Sequence, residues 1–131
     1  MLFHVFSSQE ERRKLGSSAF IEIQYCKLPP KAKIKKIVSL GSINHWQNDS
    51  LYVYADDIDA IFKEYAPFFN SGTYNNLETG VVDLFGINYF APSAIDSLIA
   101  KICECRPVDY ESLVQWLSEG KAYNGFYILG I

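Results

Sequence analysis

Three stretches of apolar residues at helical spacing, set between short apolar runs, constrain the fold of this chain most strongly. The first stripe lies before Pro67 and consists of Ile58, Ile61, Phe62 and Tyr65. The second follows Pro92 and consists of Ile95, Leu98, Ile99 and Ile102. The third follows Pro107 and consists of Tyr110, Leu113, Val114 and Leu117. Each pattern predicts an amphipathic helix, which must bury its stripe against another layer.

The short apolar runs predict the strands of that other layer. Residues 20–25 alternate, which places Ile21, Ile23 and Tyr25 on one face and Phe20, Glu22 and Gln24 on the other. Further strands are predicted at residues 2–6, 51–54, 81–90 and 126–131, with Gly86 as a bulge in residues 81–90. The pattern favours an α+β or α/β fold, with one sheet of about four to five strands and three to four helices packed on it.

The segments between these elements complete the prediction. Ser8 and Glu11 have the spacing of a capping box, which predicts a short helix that ends at Gly16. Residues 31–40 are compatible with a basic helix or a strand, and the helix is favoured because Ile34, Ile37 and Val38 fit a helical stripe. Residues 69–76 have the composition of a connecting loop. No linker or repeat interrupts the 131 residues, so we expect residues 1–131 to form a single domain.

Charge is distributed unevenly along the chain, whose net charge is −3. Residues 1–36 carry eight Lys or Arg against three acids, whereas residues 37–131 carry four against twelve. An acidic surface is suited to steering a basic partner. A solvated acidic face is the alternative interpretation.

The cysteine count and the start of the chain predict a cytoplasmic location. Three Cys residues make an odd number, which favours a reducing compartment over a disulfide framework. Residues 1–6 have neither the basic start nor the long apolar stretch of a secretory signal. No window is apolar enough to predict a membrane span.

The residues that usually carry chemistry do not form a local motif. His4 and His45 are far apart in sequence, and Cys103 and Cys105 would project to nearly opposite sides of a helix. The chain has no Gly-x-Ser-x-Gly motif and no glycine-rich phosphate loop. The sequence therefore predicts no catalytic residue, no metal site and no cofactor.

Candidate partner-binding residues come from an acidic cluster and from a polar loop that contains an aromatic residue. Acids are dense between residues 49 and 64, and Tyr74 lies among Asn, Ser and Gly in a stretch typical of contact loops. The predicted partner-binding residues are Asp56, Asp57, Asp59, Glu64, Tyr74 and Glu78. Asp83 would extend the acidic patch. The alternative for Asp56, Asp57 and Asp59 is a structural one, because negative charge is favoured at the start of a helix.

A basic segment raises the question of nucleic-acid binding. Residues 27–36 hold five lysines, which could neutralise phosphates. The segment has no Arg and no aromatic residue for base stacking, and the sequence pI is about 5.3. We therefore expect solvated lysines and no nucleic-acid partner.

The C-terminal part of the chain carries a resemblance to a known class of proteins. It rests on residues 82–90, the Pro-started helix that follows, the pattern Asp109-Tyr110-x-x-Leu113-x-x-Trp116-Leu117, and residues 124–131. These segments are similar to small bacterial immunity proteins of polymorphic-toxin systems, including those of contact-dependent growth inhibition. The resemblance implies a non-enzymatic inhibitor that binds a cognate, usually basic toxin domain, often a nuclease, in the cytoplasm of the producing cell. It transfers no contact residues, because none of these segments defines them.

Two other functions stay open at this point. A small enzyme would assemble its site in space, with a pocket that joins an acid to His45 or to a cysteine. A nucleic-acid-binding accessory protein would use the lysines of residues 27–36.

Overall fold

The computed structural model describes residues 1–14 and 19–131 and has an α+β fold, as the sequence predicts. The strands of the described residues are β1 Phe20–Tyr25, β2 Leu51–Tyr54, β3 Gly72–Tyr74, β4 Thr79–Gly80, β5 Ile87–Phe90 and β6 Phe126–Leu129. They form one sheet of six strands, slightly more than the predicted four to five. Every pairing is antiparallel, and the order is β2-β1-β6-β5-β3-β4.

Helices join these strands, and the three longest coincide with the three apolar stripes. The helices of the described chain are α1 Gln9–Lys14, α2 Ile34–Ile37, α3 Ile58–Tyr65, α4 Ile95–Cys105 and α5 Tyr110–Glu119. Short 3-10 turns, Ala55–Asp57 and Pro92–Ala94, lead into α3 and α4. Arg106 ends α4 in the left-handed conformation with φ of 50°, and Pro107 follows it.

Helices α3, α4 and α5 pack on one face of the sheet and form the main core with it. Ile21, Ile23 and Tyr25 point to this face, as their alternation predicts. The ring of Tyr25 stacks on Trp116 of α5 with centroids 3.9 Å apart, and its hydroxyl donates to the Trp116 carbonyl at 2.6 Å. This ring stacking and this hydrogen bond therefore fix the position of α5 on the sheet.

Residues 26–50 cover the opposite face of the sheet. Ile37 and Val38 pack there with Cys26, Tyr127 and other residues of β5 and β6. The Tyr127 hydroxyl donates to the Ile37 carbonyl at 2.6 Å. Since both faces are covered, all six residues of β1 are buried, although Glu22 and Gln24 are polar.

Glu22 is 2% exposed, and hydrogen bonds from the covering segment surround its carboxylate. Oε1 accepts from the Trp46 backbone N–H at 2.8 Å. Oε2 accepts from the Gln47 backbone N–H at 3.1 Å, from Ser50 Oγ at 2.7 Å and from Gln24 Nε2 at 2.9 Å. A buried carboxylate is stable only when donors replace its water, so this network holds residues 46–50 against β1.

Two segments that contribute residues to the core differ from their predicted secondary structure. Residues 2–6 form only an isolated bridge between His4 and Tyr52 of β2, not a strand. In residues 31–40 the helix is limited to Ile34–Ile37, since a turn closed by the Ala32 N–H and the Pro29 carbonyl precedes it and Val38 caps its end with φ of −90° and ψ of 7°. Helix α1 begins as predicted, with Ser8 Oγ accepting from the Glu11 N–H at 3.2 Å. Its predicted end at Gly16 lies outside the described residues.

The prediction of one strand across residues 81–90 is wrong, because only Ile87–Phe90 is extended. Residues 81–86 instead form a loop, in which the Gly86 N–H donates to the Asp83 carbonyl at 3.3 Å. Asp at the first position and Gly at the fourth are typical of a type I turn, which interrupts the strand. The prediction of residues 69–76 as a loop is also incomplete, since it missed β3, which pairs with both β4 and β5.

We predict that Glu22→Gln lowers the free energy of unfolding by about 3 kcal/mol, because an amide nitrogen would face donors that now meet a carboxylate oxygen. Urea denaturation monitored by fluorescence measures this change. Glu104→Gln is the matched control at an exposed site on α4, where a change within about 0.5 kcal/mol is expected. Equal stabilities for the two variants would contradict the role assigned to Glu22.

Candidate functional site

The loop of residues 81–86 is held in one conformation by Asn88, which is fully buried at the start of β5. Asn88 Oδ1 accepts from the Asp83 N–H at 2.8 Å. Its Nδ2 donates to the Asp83 carbonyl at 2.7 Å and to the Ile128 carbonyl at 2.9 Å. One amide side chain thereby ties the loop to the central strand β6.

The last residues of the chain secure the other side of the same loop. The Gly130 N–H donates to the Gly86 carbonyl at 2.8 Å, and the Ile131 N–H donates to the Leu84 carbonyl at 3.0 Å. A Cβ atom at Gly130 would collide with the backbone of Leu84 and Gly86. Only glycine allows this close approach of the two backbones.

The loop exposes one aromatic side chain while it buries its apolar neighbours. Val82 and Leu84 are part of the main core. Phe85 between Leu84 and Gly86 is 73% exposed, and its backbone N–H donates to Asp83 Oδ1 at 2.9 Å. The Asp83 carboxylate therefore closes an Asx turn that directs Phe85 outward.

Phe85 stands as a ridge between two open grooves. The first groove has a volume of about 320 Å³ and lies between α3 and the loop. The second has a volume of about 360 Å³ and lies between residues 40–45 and the ends of β5 and β6. Phe85 lines both of them.

Further apolar side chains are exposed beside this ridge. Phe62 lines the first groove and is 47% exposed, and Leu40 lines the second and is 75% exposed. Single exposed apolar residues are ordinary on a protein surface. Here three large ones, Phe62, Phe85 and Leu40, line two grooves that have Phe85 in common.

The charges of the first groove come mainly from carboxylates. Asp59 of α3 and Asp83 of the loop line it together with Lys63. Asp56 is exposed just before α3, and Asp57 is half-buried at its N-cap. Glu64 is half-buried at the far end of α3, where Oε1 accepts from the Val108 N–H at 3.4 Å. Of the predicted acids, Asp59 therefore lines the groove, whereas Asp56, Asp57 and Glu64 are not among its lining residues.

The predicted residues Tyr74 and Glu78 lie on a different element, the β3–β4 hairpin. The Tyr74 hydroxyl donates to the Val81 carbonyl, and the Tyr74 N–H donates to the Glu78 carbonyl at 2.8 Å. Both residues are described in the structure, and neither lines the grooves beside Phe85. Asn75 of the same turn lines the second groove.

A second constellation joins an acid to a histidine. His45 Nδ1 lies 3.7 Å from Glu22 Oε1, and the His45 side chain lines the second groove. The Glu22 carboxylate is already bonded by the covering segment, so it acts mainly as a structural acceptor.

The tyrosines on this side of the sheet are structural donors. Burial raises the pKa of Tyr89 to about 12, and its hydroxyl donates to the Asn124 carbonyl at 2.7 Å. Burial also raises the pKa of Tyr127, with a further contribution from the neighbouring Cys26 thiol. Both phenols therefore stay protonated at neutral pH and hold the sheet to the segments that cover it.

The remaining candidates have ordinary environments. Within residues 1–14 and 19–131, no group of three His, Cys, Asp or Glu side chains is placed to hold a metal ion. Cys103 and Cys105 are exposed on α4, and Cys26 is buried. The lysines at positions 31, 33, 35 and 36 are exposed, whereas Lys27 pairs with Asp49 at 2.8 Å. No helix in the described parts of the chain is long and apolar enough to cross a membrane.

The exposed Phe85 is the feature that the sequence analysis missed. Assigning residues 81–90 to one strand made Phe85 part of a continuous buried run. The spacing Asp83-x-x-Gly86 was the available signal, because it is typical of a turn and a turn exposes its central residues.

Comparisons with known proteins add no relative to this description. No protein-family model matches the chain, and neither a curated protein nor a solved structure shows significant similarity to it.

We predict that Asn88→Ala loosens the loop and destabilises the protein by about 3 kcal/mol, because buried backbone groups of Asp83 and Ile128 lose their partner. Hydrogen exchange should show the Phe85 amide exchanging at least about tenfold faster. The exposed Asn48→Ala is the control and should change neither quantity. Unchanged exchange at Phe85 in the Asn88 variant would show that the loop is held by other contacts.

Proposed function

We propose that this chain is a non-enzymatic immunity protein that binds and neutralises a basic bacterial toxin domain in the cytoplasm of the producing cell. The observation that carries the proposal is the apolar groove at Phe62 and Phe85, which is bordered by Asp59 and Asp83. The resemblance of residues 82–131 to immunity proteins of polymorphic-toxin systems supports the same class.

The two components of this surface serve different steps of binding. Carboxylates at the rim attract a cationic partner over a distance and raise the association rate. Exposed aromatic side chains supply affinity once water leaves the contact. A toxin that acts on nucleic acid suits such a surface, because a site that binds phosphates carries Lys and Arg.

The proposal is tested first by binding. The toxin domain encoded immediately upstream in the native genome, in a catalytically inactive form, is titrated by calorimetry into the purified protein. We expect a 1:1 complex of nanomolar affinity, and we expect co-expression to rescue cells from the active toxin. Absence of both binding and rescue would reject this pair as toxin and inhibitor.

The acidic residues provide a sharper prediction. Asp56→Lys with Asp59→Lys should lower the association rate about tenfold at low salt and flatten its dependence on ionic strength. These two positions are preferred over Asp57, which is half-buried. Stopped-flow measurements between low and high salt record both quantities.

The control keeps the same net charge. Glu104→Lys with Glu111→Lys alters two exposed acids on α4 and α5 that line neither groove. If both double variants slow association equally, the effect arises from the total charge of the protein, and Asp56 and Asp59 have no specific role.

The pairing of His45 with Glu22 favours a second candidate, a small enzyme that uses His45 as an acid or base in the second groove. His45→Gln separates the two functions. For an immunity protein, toxin binding and protection of cells should change together in this variant, because His45 lines the second groove, whereas loss of protection with intact toxin binding would favour chemistry at His45.

A further inference from the structure

The surface around Phe85 has a definite profile of groove, ridge and groove. The two grooves have similar volumes, about 320 and 360 Å³, and the exposed ring of Phe85 separates them. A partner that fits this profile must present two lips with a hollow between them. A cleft has this complementary shape.

Resting on the proposed function, we propose that Phe85 inserts into a cleft of the toxin domain and blocks it, while the two lips of that cleft occupy the two grooves. The mode of inhibition is then occlusion of a cleft by one aromatic side chain.

The charges beside the ridge set the orientation of the cleft. Asp59 and Asp83 line the first groove together with one cationic residue, Lys63. In the second groove the described lining residues are apolar or glycine apart from His45 and Asn75, and none is a carboxylate. The lip in the first groove should therefore carry Lys or Arg, whereas the lip in the second should be uncharged. This asymmetry favours one orientation of the toxin cleft on the protein and disfavours the reversed orientation.

The loop that carries Phe85 is already ordered before any partner binds. Asn88 holds Asp83 from one side, and Gly130 and Ile131 hold Gly86 and Leu84 from the other. Little backbone entropy is then lost on binding, so burial of the ring contributes to affinity with a small opposing cost. A rigid aromatic residue at the centre of a contact is typical of a residue that dominates binding.

The first experiment measures dissociation of the inactive upstream toxin domain from three variants. Phe85→Ala should raise the dissociation rate about 30-fold or more, with little change in the salt dependence of association. Phe85→Leu should retain part of the effect, since it fills part of the same volume. Val5→Ala removes another exposed apolar side chain, which lines neither groove, and should leave dissociation unchanged.

Folding does not confound this comparison. The Phe85 side chain is largely exposed, so the urea midpoint of Phe85→Ala should equal that of the wild type. An equal midpoint assigns any faster dissociation to the contact itself.

The second experiment asks whether the side chain enters a cleft. Phe85→Trp places an exposed indole at the ridge, whereas Trp46 and Trp116 are partly or fully buried. Adding the toxin domain should shift the emission of the new indole to shorter wavelength and reduce its quenching by acrylamide severalfold. An indole that stays equally quenchable in the complex would place residue 85 outside the contact and overturn the proposal.

The outcomes separate this inference from the proposed function. Tight binding that Phe85→Ala leaves unchanged overturns the insertion of Phe85 but keeps the immunity function. Failure of the wild-type protein both to bind and to protect overturns both. Fast dissociation of Phe85→Ala together with a shielded indole supports occlusion of the cleft.

Discussion

Burial of the Glu22 carboxylate is the constraint that shapes one whole side of this protein. Such a group is stable inside a protein only when hydrogen-bond donors replace its water. Residues 46–50 meet this need by folding back over β1, with Trp46 in the left-handed conformation at φ of 66°. That conformation costs a non-glycine residue about 1–2 kcal/mol, which charge-assisted hydrogen bonds offset. The segment so fixed continues from Ile43 and His45, which form a wall of the second groove, so the groove depends on Glu22.

A second constraint acts at the other wall, where the end of the chain meets the loop of residues 81–86. Strand β6 lies between β1 and β5, and Gly130 continues from it into backbone contact with the loop. Asn88 then bonds the loop and β6 at once. The ridge at Phe85 is therefore attached to the central strand of the sheet, whereas most surface loops are held only at their ends. Its position follows from the register of the sheet, which is strongly specified wherever a face of the sheet is buried.

The sequence predicted the elements in which apolar residues recur regularly over several turns of helix. It missed the elements whose conformation depends on single polar side chains. Helices α3, α4 and α5 were predictable because each repeats its stripe over two or more turns. The alternation of β1 predicted which face Ile21, Ile23 and Tyr25 share, but not that a second layer would bury Glu22, because that layer is held by tertiary hydrogen bonds from Trp46, Gln47 and Ser50. The prediction of a strand across residues 81–90 failed because hydrogen bonds of Asp83 and Asn88 form a turn there, although the segment is apolar enough for a strand. Of the predicted site, Asp59 lies at the groove, whereas Tyr74 and Glu78 lie on the hairpin.

Folding alone does not account for the surface at Phe85. Val82 and Leu84 already complete the core beneath the loop, and the backbone bonds of Asp83, Gly86 and Gly130 require nothing of the side chain at position 85. A polar residue there would fold equally well and would avoid exposing an aromatic ring to water. The acids differ in this respect, because Asp57 and Asp59 lie at the start of α3, where the helix dipole favours negative charge even without a side-chain capping bond, whereas Asp83 lies on the loop itself and lines the groove. The partner proposed for this surface, which needs an aromatic anchor and nearby negative charge, would account for Phe85 and Asp83 occurring together on a loop that is already rigid.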